Sequence, residues 1–212
     1  MDFIIRNELK DDFRKVEELT REAFWNLYVE GCSEHYLAHI MRDHPDFVKE
    51  LDYVALYEDE VIGNIMYTKS FLVDEAQKRI DAVTFGPVSI VPELQSKGAG
   101  SLLIKHSMKK AKAMGFKAVV IYGNPRNYCK HGFKNAKDYN VSDAEGKYPY
   151  SLLVAELEPS ILQGAKWHCV LSDVYNFNPD AAEEYDKSFP LKQKEHKYSQ
   201  DEFMIACRAY LA

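Results

Sequence analysis

The 212-residue chain has no run of eighteen apolar residues, no basic leader followed by an apolar stretch, no Lys/Arg-rich block and no Cys-x-x-Cys pair. The first two absences argue against a membrane-spanning helix and a secretory signal. The third argues against a sequence-independent grip on nucleic acid, as does a formal charge of −6 from 33 acidic and 27 basic residues. The four cysteines, Cys32, Cys129, Cys169 and Cys207, are scattered, which excludes a disulfide framework and a zinc ribbon and fits a reducing, cytoplasmic setting. No repeat or low-complexity segment is present. The length suits one substantial domain with an elaboration.

Hydrophobic periodicity orders the chain. Phe3 to Arg6 reads as a strand, and Phe13, Val16, Thr20, Ala23, Phe24 and Leu27 recur at helical spacing from Asp12 to Tyr28. After Gly31, Ser33 can cap a second helix that stops near His44-Pro45. Tyr53 to Tyr57 and Val61 to Thr68 read as a hairpin across Glu58-Asp59-Glu60. Ala82 to Val91 is a strand interrupted by Gly86-Pro87, where pairing should break because proline cannot donate to a ladder. A helix ending at Gly115, a buried strand Ala118 to Tyr122, a short helix near Tyr128 and strands Ser151 to Glu156 and Trp167 to Phe177 follow. Ala82 to Tyr122 is thus a β-α-β unit with a parallel pair. Two helices, Asp180 to Ser188 and Gln200 to Leu211, close the chain.

The most informative stretch is Gln95-Ser96-Lys97-Gly98-Ala99-Gly100, lying between that strand and the helix. Glycine lets backbone approach a ligand, and the free N–H groups of a helix start attract anions. The spacing is neither G-x-G-x-x-G nor a nucleotide-triphosphate loop, which lowers the reading as a nucleotide-binding protein. Downstream stands Gly123-Asn124-Pro125-Arg126-Asn127-Tyr128-Cys129-Lys130-His131-Gly132-Phe133.

Q-x-x-G-x-G followed by Y-x-x-x-G-F resembles the GNAT N-acetyltransferase superfamily, in the branch of bacterial YhbS-like acetyltransferases. The resemblance implies an α/β fold whose mixed central sheet has splayed fourth and fifth strands and helices on both faces. It covers residues 1–178, leaving 179–212 as a helical extension packed on the domain or on a partner subunit, which would make a homodimer. It implies acetyl-CoA as donor, with pantetheine along Val88, Ser89 and Ile90, pyrophosphate on Gln95, Ser96, Lys97, Gly98, Ala99, Gly100 and Ser101, and Tyr128 facing the sulfur. Asn124 either touches the coenzyme arm or makes the turn before Pro125.

Aminolysis of the thioester needs a neutral amine, yet an alkylammonium of pKa near 10.4 is only about one part in two thousand neutral at pH 7. The strand before the glycine loop carries no carboxylate, so Glu30 and Glu34, flanking Gly31-Cys32-Ser33, are the base candidates. Cys129 has no base placed beside it and reads as a buried, inert thiol. His35 and His39 share a helical face without a third ligand, so no metal is expected. The acceptor is a small-molecule or peptide amine. The rival reading is a non-catalytic acyl-CoA binding or sensing module.

Overall fold

In the computed structural model, which describes residues 1–212, side-chain alternation sets the layers. Strand β1 (Ile4–Asn7) is followed by helices α1 (Phe13–Phe24) and α2 (Glu34–Met41), then strands β2 (Tyr53–Tyr57), β3 (Glu60–Asp74) and β4 (Arg79–Ile90). On β2, Tyr53 and Ala55 enter one core with Leu103 and Ile104, while Val54 faces Val16 and Leu19 of α1 on the other side. Both faces of the sheet are therefore covered by helices, as its near-continuous apolar strands require. Helix α3 (Ala99–Ala113) supplies the second face.

Strand β5 (Ala118–Tyr122) leads into the single-turn helix α4 (Pro125–Tyr128) and the two-residue strands β6 (Lys134–Asn135) and β7 (Val141–Ser142). Strands β8 (Leu152–Glu156) and β9 (Trp167–Val170) complete a nine-stranded sheet of order β1-β2-β3-β4-β5-β8-β6, with β9 on β3 and β7 on β9. The β4–β5 and β7–β9 pairs are parallel and the others antiparallel. This is the mixed α/β arrangement that the motifs imply. As expected, pairing is disturbed at Gly86-Pro87: these two residues stand opposite the single Met66 between the Phe85–Tyr67 and Val88–Ile65 pairs. The result is a β-bulge.

Several boundaries differ from the periodicity. Helix α1 stops at Phe24 because Asn26 adopts a left-handed conformation (φ 57°), and its Oδ1 accepts the Gly31 N–H at 2.7 Å. Ser33 makes no side-chain cap; Glu34 Oε2 accepts the Ser33 N–H instead. The β3–β4 hairpin extends to the Val73–Arg79 pair, where charged residues mask the strand pattern. Strand β9 ends at Val170, since Ser172 caps a short 3-10 turn over Asp173–Asn176.

Residues of the last two helices contact earlier parts of the chain. Helix α5 (Pro179–Asp186) brings Asp186 against Arg21, which donates through Nε and Nη2 at 2.6 and 3.0 Å, and against His35 Nε2 at 3.1 Å. Tyr185 donates to Glu17 Oε2 at 2.7 Å. Helix α6 (Tyr198–Arg208) then reaches Tyr28, and beyond it Tyr210 bridges to Pro149. Under α2, Arg42 is clamped by Glu8 and Glu17, all three side chains at most 6 % exposed.

Because the Arg21 side chain is only 4 % exposed, removing its partner leaves an uncompensated buried charge. Asp186→Ala is therefore expected to cost about 3 kcal/mol in urea unfolding. Nearby, burial and the Glu8 carboxylate push Asp52 well above the usual carboxylate range. Folding thus takes up a proton there, and stability falls as pH rises above the unfolded value of about 3.9. Asp52→Asn should flatten that fall between pH 5 and 8 in urea midpoints; an unchanged slope would refute it.

Candidate active site

Strands β4 and β5 pair only at Ala82–Ala118 and Val83–Val119. Beyond that, β4 stays with β3 through Ile90 and β5 stays with β8 through Tyr122, so a V opens between them. The β5-facing edge of β4 from Thr84 onward has no strand partner, and its backbone groups are free for an extended ligand. Val88 and Ile90 are half-buried along this edge. Ser89 points elsewhere: its Oγ donates to Thr20 Oγ1 at 3.1 Å, and Thr20 donates to Asn64 Oδ1 at 3.2 Å. Ser89 therefore offers no hydroxyl to a ligand in the V, and the outward main-chain groups of this edge are those of Val88 and Ile90.

The glycine loop stands at the far end of this edge. Gly98 is left-handed (φ 101°) with nothing within 4 Å of the place a Cβ would occupy, and no side chain caps α3. The first helical bond runs from Leu102 N–H to Gly98 O, so the N–H groups of Ala99, Gly100 and Ser101 have no main-chain acceptor. This is the anion-attracting end of a fifteen-residue helix. Ser96, Lys97 and Gly98 are exposed, and Lys105 and Lys130 add positive charge nearby without ion-pair partners. Gln95 turns back, donating from Nε2 to Ile90 O at 3.1 Å, and so braces the loop against β4. Ser101 Oγ lies 3.4 Å from His131 Nε2.

Tyr128 spans the V. Its ring packs on Phe85 of β4 at 5.7 Å between centroids and on Phe133 at 5.9 Å. On the β5 side it lies over Gly123, where a Cβ would come within 2.5 Å of Tyr128 Cε2. Only glycine lets the ring settle there. Burial first, and then Tyr28, push the Tyr128 hydroxyl above its ordinary range. Tyr28 is raised by burial and by the Glu34 carboxylate, and Glu34 is itself raised by burial. Burial is the main cause of all three shifts.

The two base candidates separate here. Glu34 is half-buried at the start of α2, whereas Glu30 is exposed to solvent. Asn124 makes the turn: its Oδ1 accepts the Arg126 N–H at 3.0 Å as the cap of α4. Cys129, expected to be buried, is exposed, because α4 is a single turn lying on the surface. His35 and His39 are spent on other partners, Asp186 for the first and Glu17 and Tyr185 for the second. A different trio, His44, Asp46 and Asp173, gathers within 4.8 Å. There the Asp46 N–H donates to His44 Nδ1 at 3.2 Å and Nε2 faces Asp173 at 3.0 Å, so both ring nitrogens are engaged.

Sequence reasoning missed Tyr28, Gly123 as the seat of the ring, and Phe203 of α6, which stacks on Tyr28 at 4.7 Å. The inward spacing Ser199, Gln200, Phe203 and Ala206 was a readable signal for the last of these.

A family model described as the acetyltransferase (GNAT) family matches residues 17–133, which hold the V, the glycine loop and Tyr128. The chain belongs to the GNAT acetyltransferase family. Among curated relatives, the uncharacterized N-acetyltransferase YjhQ of Escherichia coli K12 is 29% identical over 84 residues, 40% of this chain and 46% of YjhQ. The match thus spans about half of that relative's length. The uncharacterized N-acetyltransferase YhbS of the same strain is 25% identical over 139 residues, 65% of this chain and 77% of YhbS. The crystal structure of Escherichia coli YhbS in complex with CoA superposes with a TM-score of 0.71 at 21% identity, covering 82% of this chain and 92% of that one. A Brucella melitensis GNAT acetyltransferase in complex with acetyl-CoA gives 0.62 at 19%, covering 82% and 98%. These likenesses establish the GNAT fold; α5 and α6 lie beyond the segment the family model matches.

The fit of Tyr128 on Gly123 is open to a double-mutant cycle. Gly123→Ala is expected to cost about 1–3 kcal/mol by overpacking, and most of that cost should vanish in a Tyr128→Ala background. Additive effects would mean that the ring does not rest there.

Proposed function

We propose that this chain is an N-acetyltransferase that moves the acetyl group of acetyl-CoA to a primary amine by direct attack in a ternary complex. The observation that carries this reading is the V past Val83 and Val119, with the glycine loop at one end and Tyr128 bridging it. Family membership and the coenzyme complexes of the YhbS and Brucella proteins support the choice of donor. The pyrophosphate is assigned to Gln95 through Ser101, chiefly to their main-chain N–H groups, and the pantetheine to the free edge at Val88, Ser89 and Ile90.

In the reaction the amine nitrogen attacks the thioester carbonyl carbon, the new C–N bond forms, and the C–S bond then breaks. Glu34, its affinity for a proton raised by burial, suits the removal of the ammonium proton. Tyr128 supports the departing sulfur. An ordinary tyrosine is a weaker acid than a thiol by about 1.5 pKa units, or about 2 kcal/mol, and burial weakens Tyr128 further. Tyr128 therefore stabilises the thiolate by a hydrogen bond that strengthens as charge develops, with full transfer completed later. Cys129, exposed and unpaired, has no place in a covalent relay. The acidic surface and Glu34 favour a cationic acceptor, a small molecule or a peptide amine. Four free thiols support a cytoplasmic setting, and no helix is long and apolar enough to cross a membrane.

Calorimetry with CoA and thiol release from acetyl-CoA with a panel of amines separate this enzyme from a sensing module. Tight CoA binding with no amine-dependent thiol release would leave only the sensor. Tyr128→Phe is expected to lower kcat roughly 10- to 100-fold with CoA affinity unchanged, and Gly98→Val, strained at φ 101°, should weaken CoA binding instead. Because Glu34 must be deprotonated to act, kcat/KM should rise with pH through a pKa above the usual carboxylate range. Glu34→Gln should abolish that acid limb.

A further inference from the structure

Helix α6 is fastened at both ends to opposite banks of the V. At its start, Ser199 Oγ donates to Leu27 O at 2.8 Å and Gln200 Nε2 donates to Asn26 O at 3.1 Å, on the loop between α1 and α2. At its end, Tyr150 N–H donates to Ala209 O at 2.9 Å and Leu211 N–H donates to Tyr148 O at 2.8 Å. This second anchor is tied to the other bank, because Ser151 O accepts the Gly123 N–H at 2.8 Å and Gly123 carries the Tyr128 ring. Eleven residues of helix span about 16 Å, enough to reach from the loop that bears Tyr28 to the segment that neighbours Gly123. At its middle, Phe203 turns inward and stacks on Tyr28 at 4.7 Å with an interplanar angle of 30°.

We propose that α6 is the roof of the acceptor half of the site and that Phe203 determines which amines reach the thioester. The proposal rests on the acetyl-transfer reading of the V and extends it to the chain's own extension. The stacked rings of Phe203 and Tyr28 present aromatic surface, and the Glu34 carboxylate, which acts on the Tyr28 hydroxyl, adds negative charge on the same bank. That chemistry suits a slim primary alkylammonium, held by charge at Glu34 and by the π-faces, and it disfavours branched or bulky amines. Its outer side is the opposite: Met204 and Ile205 are 44 % and 71 % exposed. With so little apolar area buried, the helix is held mainly by hydrogen bonds at its two ends, which suits a roof that lifts to admit substrate.

The test uses the full chain and a readout that needs no acceptor. CoA is bound at saturating protein, and alkylation of its thiol by N-ethylmaleimide is followed by chromatography of the CoA adduct. Wild-type protein should slow alkylation at least about tenfold relative to free CoA, and Phe203→Ala should restore most of the rate, whereas Phe203→Tyr, which keeps the ring, should stay protected. In parallel, the ratio of kcat/KM for benzylamine over propylamine should rise roughly tenfold in Phe203→Ala, with CoA affinity changed less than about twofold. Equal alkylation rates in wild type and Phe203→Ala, with CoA bound by both, would overturn the roof while leaving the transferase reading intact. An absence of CoA binding in the wild type would overturn both.

Discussion

One strand edge is left without a partner, and the molecule is organised around it. Strand β4 keeps β3 on one edge along its whole length and β5 keeps β8 on its far edge, while the facing edges of these two parallel neighbours share only two residue pairs. The bulge at Gly86-Pro87 bends β4 where the separation begins, and Pro87 has no N–H to offer in any case. Everything the candidate site uses is arranged along the unpaired edge this creates. The glycine loop follows its end, Tyr128 packs on its Phe85, and α3 aims its positive pole across it.

Much of the rest is devoted to holding the two banks of the opening. On one side, Arg42 binds Glu8 and Glu17, and Arg21 binds Asp186, so α1, α2 and α5 are joined by buried charge rather than by apolar surface alone. Such pairs contribute little net stability but cost much to break. They fix orientation, which is what a site made from several elements needs. On the other side, the aromatic group of Phe85, Tyr128 and Phe133 does the same by shape.

The parts legible in the sequence were those dictated by local chemistry. Periodicity gives α1, α2, α3 and the central strands, and Gly98 and Gly100 before a helix announce an anion site. Tyr128 and Phe133 are legible through motif spacing. What was not legible depends on contacts far apart in the chain. The early end of α1 follows from Asn26 closing on Gly31. The difference in burial between Glu30 and Glu34 is one that no local pattern reveals. The position of α5 follows from Asp186 meeting Arg21 and His35 across more than a hundred residues. Strands β6 and β7, two residues each, are too short for any period to register.

The hydroxyl chain from Ser89 through Thr20 to Asn64 carries a mechanical meaning. It ties β4, the strand along which the donor would lie, to the middle of α1, the helix that leads into the loop bearing Tyr28. All three residues are at most 2 % exposed, so the joint is shielded from bulk solvent. A small displacement of β4 is therefore transmitted directly to α1 rather than dissipated. Strand β4 and helix α1 thus behave as one stiff body rather than two.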